Sequence, residues 1–183
     1  SKPKYFHREV GGNFRLDPLQ AALLRVKLHH YDGYSQARQE NAAYYIEKLS
    51  ALDGVVSASP EHCGCAATQE EALGRARIVL PVPYEHNKHI WNQFTLRVRG
   101  EEQRELLRKH LADREIGSEV YYPLTMDQQE CFADLPAESR RGNGIAHQLA
   151  GEVLSIPVYP ELGTEMQDWV VKAVEEFLKS ERQ

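Results

Sequence analysis

Residues 89–98, HIWNQFTLRV, alternate with the period of an extended chain. Ile90, Asn92, Phe94, Leu96 and Val98 fall on one side, and His89, Trp91, Gln93, Thr95 and Arg97 on the other. The first set is apolar apart from Asn92, and the second is polar apart from Trp91. The spacing predicts a half-buried strand over the whole of 89–98. Gly100 then leads into a helix over 101–114, where Glu101 and Glu102 oppose the positive end of the helix dipole and Leu106, Leu107, His110 and Leu111 line an inner side.

Downstream, residues 119–122 read as a short strand stopped by Pro123. Asp127 with Glu130 makes a capping box for a brief helix through Phe132, and a turn-rich stretch over 136–144 precedes a helix near 145–152. An extended apolar run at 153–158 and a helix capped by Thr164 with Gln167, facing inward through Met166, Val170, Val174 and Phe177, complete the chain. Upstream, Val55-Val56 and residues 78–80 are short strands. A helix from about Ser35 to Leu52, carrying Ala37, Tyr44, Tyr45, Ile46 and Leu49, is stopped by Asp53-Gly54. Before it, Asp17 caps a helix that starts on Pro18 and places Leu19, Ala22, Leu23 and Val26 on one face, with 29–33 as an interruption. The order predicts an α+β fold, a small mixed sheet with helices on one side.

The 183 residues carry a formal charge of -5, and the basic run Arg97, Arg99, Arg104, Arg108, Lys109 is interleaved with Glu101, Glu102 and Glu105. That argues against nucleic acid as a partner. No run approaches the roughly 18 apolar residues of a membrane span, and SKPKYFHREV at the start has no signal-peptide core. Opening without methionine, the chain reads as a piece of something longer. Three cysteines, Cys63, Cys65 and Cys131, cannot all pair within one chain, which points to a reducing, cytoplasmic setting.

Taken residue by residue, the chemistry stays open. There is no phosphate-binding glycine loop, and the eight histidines show no HExxH-type spacing. His62-Cys63-Gly64-Cys65 is either an ordinary loop, a redox pair, or part of a zinc site that His86 or Cys131 would complete. His110, inside the apolar interval of its helix, reads as structural. Asn13 and Arg15, after Gly11-Gly12 and before a helix, either form a turn with a surface arginine or present an amide and a guanidinium to an anion. Trp91 and the Tyr121-Tyr122-Pro123 segment each fit packing or a cleft wall.

Four segments together add a resemblance. GGNFRLDPLQAALLRVKLHH at 11–30 resembles the Gly-x-Asn-x-Arg-(Met/Leu)-x-x-(Leu/Ile)-Gln-Ala-Ala segment of the DegT/DnrJ/EryC1/StrS aminotransferases. HIWNQFTLRV at 89–98 is similar to that family's strand, EIGSEVYYPLTMDQQECF at 115–132 to its Tyr-Tyr-Pro-x-x-x-x-x-Gln segment, and GEVLSIPVYPELGTEMQDWVV at 151–171 to its Glu-Val-Leu-Ser-Leu-Pro signature.

The resemblance implies a fold-type I enzyme that uses pyridoxal 5'-phosphate to aminate a nucleotide-linked keto-sugar, with glutamate as the common amino donor, working as a homodimer. It implies residues 1–30 as the end of the large cofactor-binding domain, 31–53 as the connecting helix and 54–183 as the small C-terminal domain. Asn13 matches the asparagine that reaches the cofactor phosphate of the neighbouring subunit. Arg15 matches an arginine that contacts the substrate diphosphate, and His89, Trp91, Asn92 and Tyr122 fall on the substrate side. The family's Schiff-base lysine lies upstream of the segment matched here, so no lysine of this chain takes its role and the chain alone is expected to be inactive. Asp127 stands where relatives often carry histidine, and 59–80 is longer than the usual connection. The rival reading is a family-like protein without transaminase activity: a dehydratase using the same cofactor, a regulator or a binding protein.

Overall fold

The computed structural model describes residues 3–58, 74, 76–136, 138 and 143–180. Helix α1 (Pro18–Leu28) begins as expected. The Asp17 carboxylate accepts the Leu19 N–H at 2.7 Å, and Gln20 Oε1 accepts the Asp17 N–H at 3.3 Å. No residue of α1 is buried; Leu19, Leu23 and Val26 are between 62% and 70% exposed. Helix α2 (Tyr31–Ser50) starts four residues before the expected Ser35. The backbone stays right-handed through His29 and His30, and Asp32 falls in the first turn where the dipole favours it, so 29–33 joins the helices instead of separating them. Gly54, at φ 87°, takes the left-handed turn into the sheet.

The sheet has the order β1-β2-β3-β4, with β1 (Val55–Ser57) parallel to β2 (Ile78–Leu80), and β3 (Phe94–Val98) antiparallel to both β2 and β4 (Val153–Ile156). The alternation in β3 holds where the strand exists: Phe94, Leu96 and Val98 are buried and Thr95 and Arg97 partly so. The strand is half the expected length, because Trp91 sits at φ 49° and ends the extended run. Side chains from α2 take the carbonyls that a neighbouring strand would otherwise pair. Gln39 Nε2 donates to His89 O at 2.9 Å, and Arg38 donates to Trp91 O at 3.1 Å and Val158 O at 2.7 Å.

Helix α3 (Glu101–Ala112) starts at Gly100 (φ 95°) and turns Leu107, Leu111 and the stem of Arg104 inward, while Leu106 is 41% exposed. His110 is structural: Nε2 lies 2.9 Å from Ala173 O and the ring packs edge-on to Phe177. The expected strand at 119–122 reduces to one bridge, Glu119 to Ser155. The expected Asp127–Glu130 capping box is replaced by one two residues earlier, in which Thr125 and Gln128 close a single 3-10 turn at Met126–Gln128, followed by a second turn at Glu130–Phe132. Asp127 cannot cap because its carboxylate is engaged elsewhere, as described below. Helices α4 (Gly144–Glu152) and α5 (Thr164–Ser180) follow. Gln167, 1% exposed, donates to Asn41 O at 2.9 Å and locks α5 to α2, whereas Met166 faces outward.

One core joins Phe94, Leu96, Leu154 and Ile156 of the sheet to Tyr45 and Leu49 of α2, Leu107 and Leu111 of α3, and Val174 and Phe177 of α5. These helices therefore lie against one face, as the sequence implies, and each fully buried side chain contributes about 1.5–3 kcal/mol. The other face of β3 presents Thr95 to Ser155 (2.8 Å between hydroxyls) and Arg97 to Glu152 (2.6 Å). No helix among the described residues is long and apolar enough to cross a membrane.

Candidate functional site

The Glu119–Ser155 bridge (2.8 and 3.1 Å) hooks the chain to the edge of β4 and projects Tyr121 and Tyr122 beyond it. Across from them runs the segment at 4–8. Gln129, 4% exposed, spends its whole amide on that segment: Oε1 accepts the His7 N–H at 2.8 Å and Nε2 donates to Tyr5 O at 3.0 Å. Cys131 N–H donates to His7 O at 3.1 Å, and the Tyr5 ring packs edge-on to Tyr121 and Tyr122 at 5.7 and 5.0 Å. The segment thus becomes a strap that completes one wall of a cavity of about 720 Å³ lined by Tyr5, His7, Tyr122, Met126 and Leu149 among others. A second, more polar cleft of about 380 Å³ lies beside it, with Asn92, Gln93, Ser118, Glu119 and Ser155 on its walls. Tyr121 lines both.

Charge is fixed at two places. Lys4 Nζ lies 2.6 Å from Glu119 Oε2; the hydrogen bond to that carboxylate holds the lysine above its usual range, and the lysine in turn holds Glu119 below the ordinary carboxyl value. Glu119 therefore enters the polar cleft as an ionised acceptor. Asp127 is pushed down to about 2, chiefly by the Thr125 hydroxyl at 2.6 Å, then by His147 Nε2 at 2.8 Å and by Asn143, against partial desolvation. This pinning of α4 to the turn at 126–128 is stabilising above the unfolded carboxyl range, about pH 4, and is lost as pH falls through about 2. Asp127→Asn should lower stability to urea at pH 7, with the gap to the parent chain closing below about pH 2. A gap that stays constant between those pH values would exclude this role.

Of the residues singled out in the sequence, Tyr122 and Asn92 stand on the walls of these two clefts. Trp91 is 5% exposed and stacked on Phe94 at 5.4 Å, so its indole is a packing group. His89 props that indole from outside: its ring packs 4.1 Å from the Trp91 ring, its Nδ1 accepts the backbone N–H of Trp91 at 2.9 Å, and it lines neither cleft. Asn13 and Arg15 are exposed on the stretch before α1, and neither makes a hydrogen bond or ion pair among the described residues. No described hydrogen bond or ion pair joins them to the clefts. Tyr5, His7, Glu119 and Gln129 were not anticipated. Among the described residues no three His, Cys, Asp or Glu side chains are placed to hold a metal ion, and His62, Cys63 and Cys65 lie outside those residues.

Comparison with known proteins agrees with the fold. The chain is 35% identical over 179 residues to the pleiotropic regulatory protein of Geobacillus stearothermophilus, covering 98% of this chain and 41% of that protein. It is 30% identical over 177 residues to the dTDP-3-amino-3,6-dideoxy-alpha-D-galactopyranose transaminase of Aneurinibacillus thermoaerophilus, covering 97% and 40%. Among solved structures it superimposes on DesV of S. venezuelae, determined in complex with a ketimine intermediate, with a TM-score of 0.69, 31% identity, and coverage of 97% of this chain and 40% of that one. The chain therefore spans about 40% of the length of the relatives it matches. The family model aligns with residues 1–175, through the tyrosine loop, the β4 signature and most of α5, and on that match this chain belongs to the DegT/DnrJ/EryC1/StrS aminotransferase family.

Proposed function

We propose that this chain is the substrate-facing, C-terminal part of an aminotransferase that converts a nucleotide-linked keto-sugar to an amino-sugar, with glutamate as donor. The observation that carries the reading is the pair of clefts divided by Tyr121: an apolar, tyrosine-lined cavity beside an amide-, hydroxyl- and carboxylate-lined one. Such a pair suits a ligand with a flat base at one end and a hydroxylated ring at the other. In this reading Tyr122 and Tyr5 flank the base, the Asn92 amide and the ionised Glu119 orient sugar hydroxyls, and His89 and Trp91 act indirectly by setting the backbone at Asn92. Residues 1–30 belong to the cofactor-binding domain, 31–53 bridge, and 54–183 form the small domain.

Asn13 and Arg15 fit phosphate chemistry, since both present donors that no side chain of the described chain engages. Asn13 would hold the phosphate of pyridoxal 5'-phosphate and Arg15 the substrate diphosphate. The bound cofactor supplies the electron sink that amine transfer requires. The exposed apolar stripe of α1 supports a homodimer.

The test is to load the protein that carries this chain with pyridoxal 5'-phosphate and supply a dTDP-linked keto-sugar with glutamate. Amino-sugar and 2-oxoglutarate should form in equal amounts, and Asn92→Ala should lower kcat/KM by about tenfold, the equivalent of one substrate hydrogen bond. Absence of turnover from cofactor-loaded protein would sink the reading. One observation favours a second reading: the relative at 35% identity is named for regulation. Cofactor or sugar-nucleotide binding without any amination would favour that one.

A further inference from the structure

A third cavity, of about 460 Å³, opens where the start of α5 meets the turn at 115–117 and the loop at 157–162. It shares Gly117, Pro157 and Tyr159 with the polar cleft but contains neither Asn92 nor Tyr122. Its size lies within the roughly 300–1,000 Å³ of small-molecule sites. Leu162 forms part of a buried apolar floor, while Trp169 and Met166 are 50% and 49% exposed. The indole is fixed in place, since its N–H donates to Arg114 O at 3.3 Å, and the Tyr159 hydroxyl leans on Met166 Sδ at 3.7 Å. The charged groups lining the cavity are two carboxylates, Glu115 and Glu165. Neither makes an ion pair with any described residue, and neighbouring Arg114 is engaged by Glu176 at 2.8 Å.

Half-exposed aromatic and thioether walls favour an apolar body, and two carboxylates beside an indole face favour positive charge. Lys172 already approaches that ring, at 5.9 Å from its centroid. A hard metal cation is a poor fit, because it requires six or more oxygen ligands and this wall is mostly carbon. We infer that the cavity binds a small organic ammonium ion with an apolar body, at a site separate from the clefts assigned to the sugar nucleotide and independent of that assignment.

Methionine makes the test direct, because the chain has two, Met166 in this cavity and Met126 beside the aromatic cleft. The full chain, labelled with 13C at the methionine methyls, is titrated with 2-phenylethylammonium and separately with 2-phenylethanol, its uncharged near-isostere. The Met166 signal should move saturably while Met126 stays still, and the alcohol should bind about tenfold more weakly. The double variant Glu115→Gln/Glu165→Gln changes two exposed side chains and should erase that preference. Equal shifts at both methionines, equal affinity for amine and alcohol, or a preference that survives the double variant would each overturn the inference.

Discussion

Replacing Glu152 with alanine should lower the stability of the chain by about 3 kcal/mol, the scale of removing one partner from a buried ion pair. Glu152 is 8% exposed, at the last position of α4. Its Oε2 receives Arg97 Nε at 2.6 Å, while Oε1 receives the Gly100 N–H at 3.3 Å and Gln148 Nε2 at 3.2 Å. One carboxylate thus ties β3, the start of α3 and the end of α4 together. Alanine leaves the Arg97 charge, with its side chain 16% exposed, without this counterion. Replacing both partners with apolar residues of similar volume, Arg97→Met with Glu152→Leu, should recover most of the loss, because no charge is then left in a poor environment. Urea unfolding of the parent chain and the two variants checks it. A Glu152→Ala chain within about 1 kcal/mol of the parent would show that the pair is compensated by water.

Gln129→Ala should free the strap without unfolding the sheet. The amide is buried and both of its ends hold backbone groups of residues 5 and 7, so its removal should cost about 2–3 kcal/mol of local stability. The amides of His7 and Cys131 should then exchange with solvent about 30–100-fold faster, while those of β3 and β4 keep their protection. Trypsin should also cut faster after Arg8, whose only described ion pair, to Glu130 at 3.3 Å, is exposed on both sides. Unchanged exchange at His7 would mean that the tyrosine rings, not Gln129, hold the strap.

Features that depend on near neighbours were legible in the sequence. Asp17-Pro18 marked the start of α1, the alternation over 94–98 marked β3, and the two short valine- and isoleucine-rich runs marked β1 and β2. The errors arose where a distant side chain decided the backbone. Nothing near Trp91 announces that Arg38 and Gln39 of α2 will take the carbonyls around it and end the strand early. Nothing near Asp127 announces that His147 will hold its carboxylate and leave the cap to Thr125. The clefts show the same division. Tyr122 and Asn92 could be picked out by motif, but Tyr5, His7, Glu119 and Gln129 become neighbours only once the chain is folded, being paired with residues 115 to 124 positions away.

That separation also has a consequence for how the molecule is made. The strap leaves the ribosome long before its partner: His7 waits for a glutamine 122 residues behind it, a delay of roughly ten seconds at about 5–20 residues per second. Through that interval β1, β2 and β3 can begin to pair, but the tyrosine wall has nothing to close against. The cleft wall is therefore among the last parts of this chain to be completed during synthesis, and until Gln129 emerges the Tyr5-Phe6 pair stays uncovered near the exposed leucines of α1.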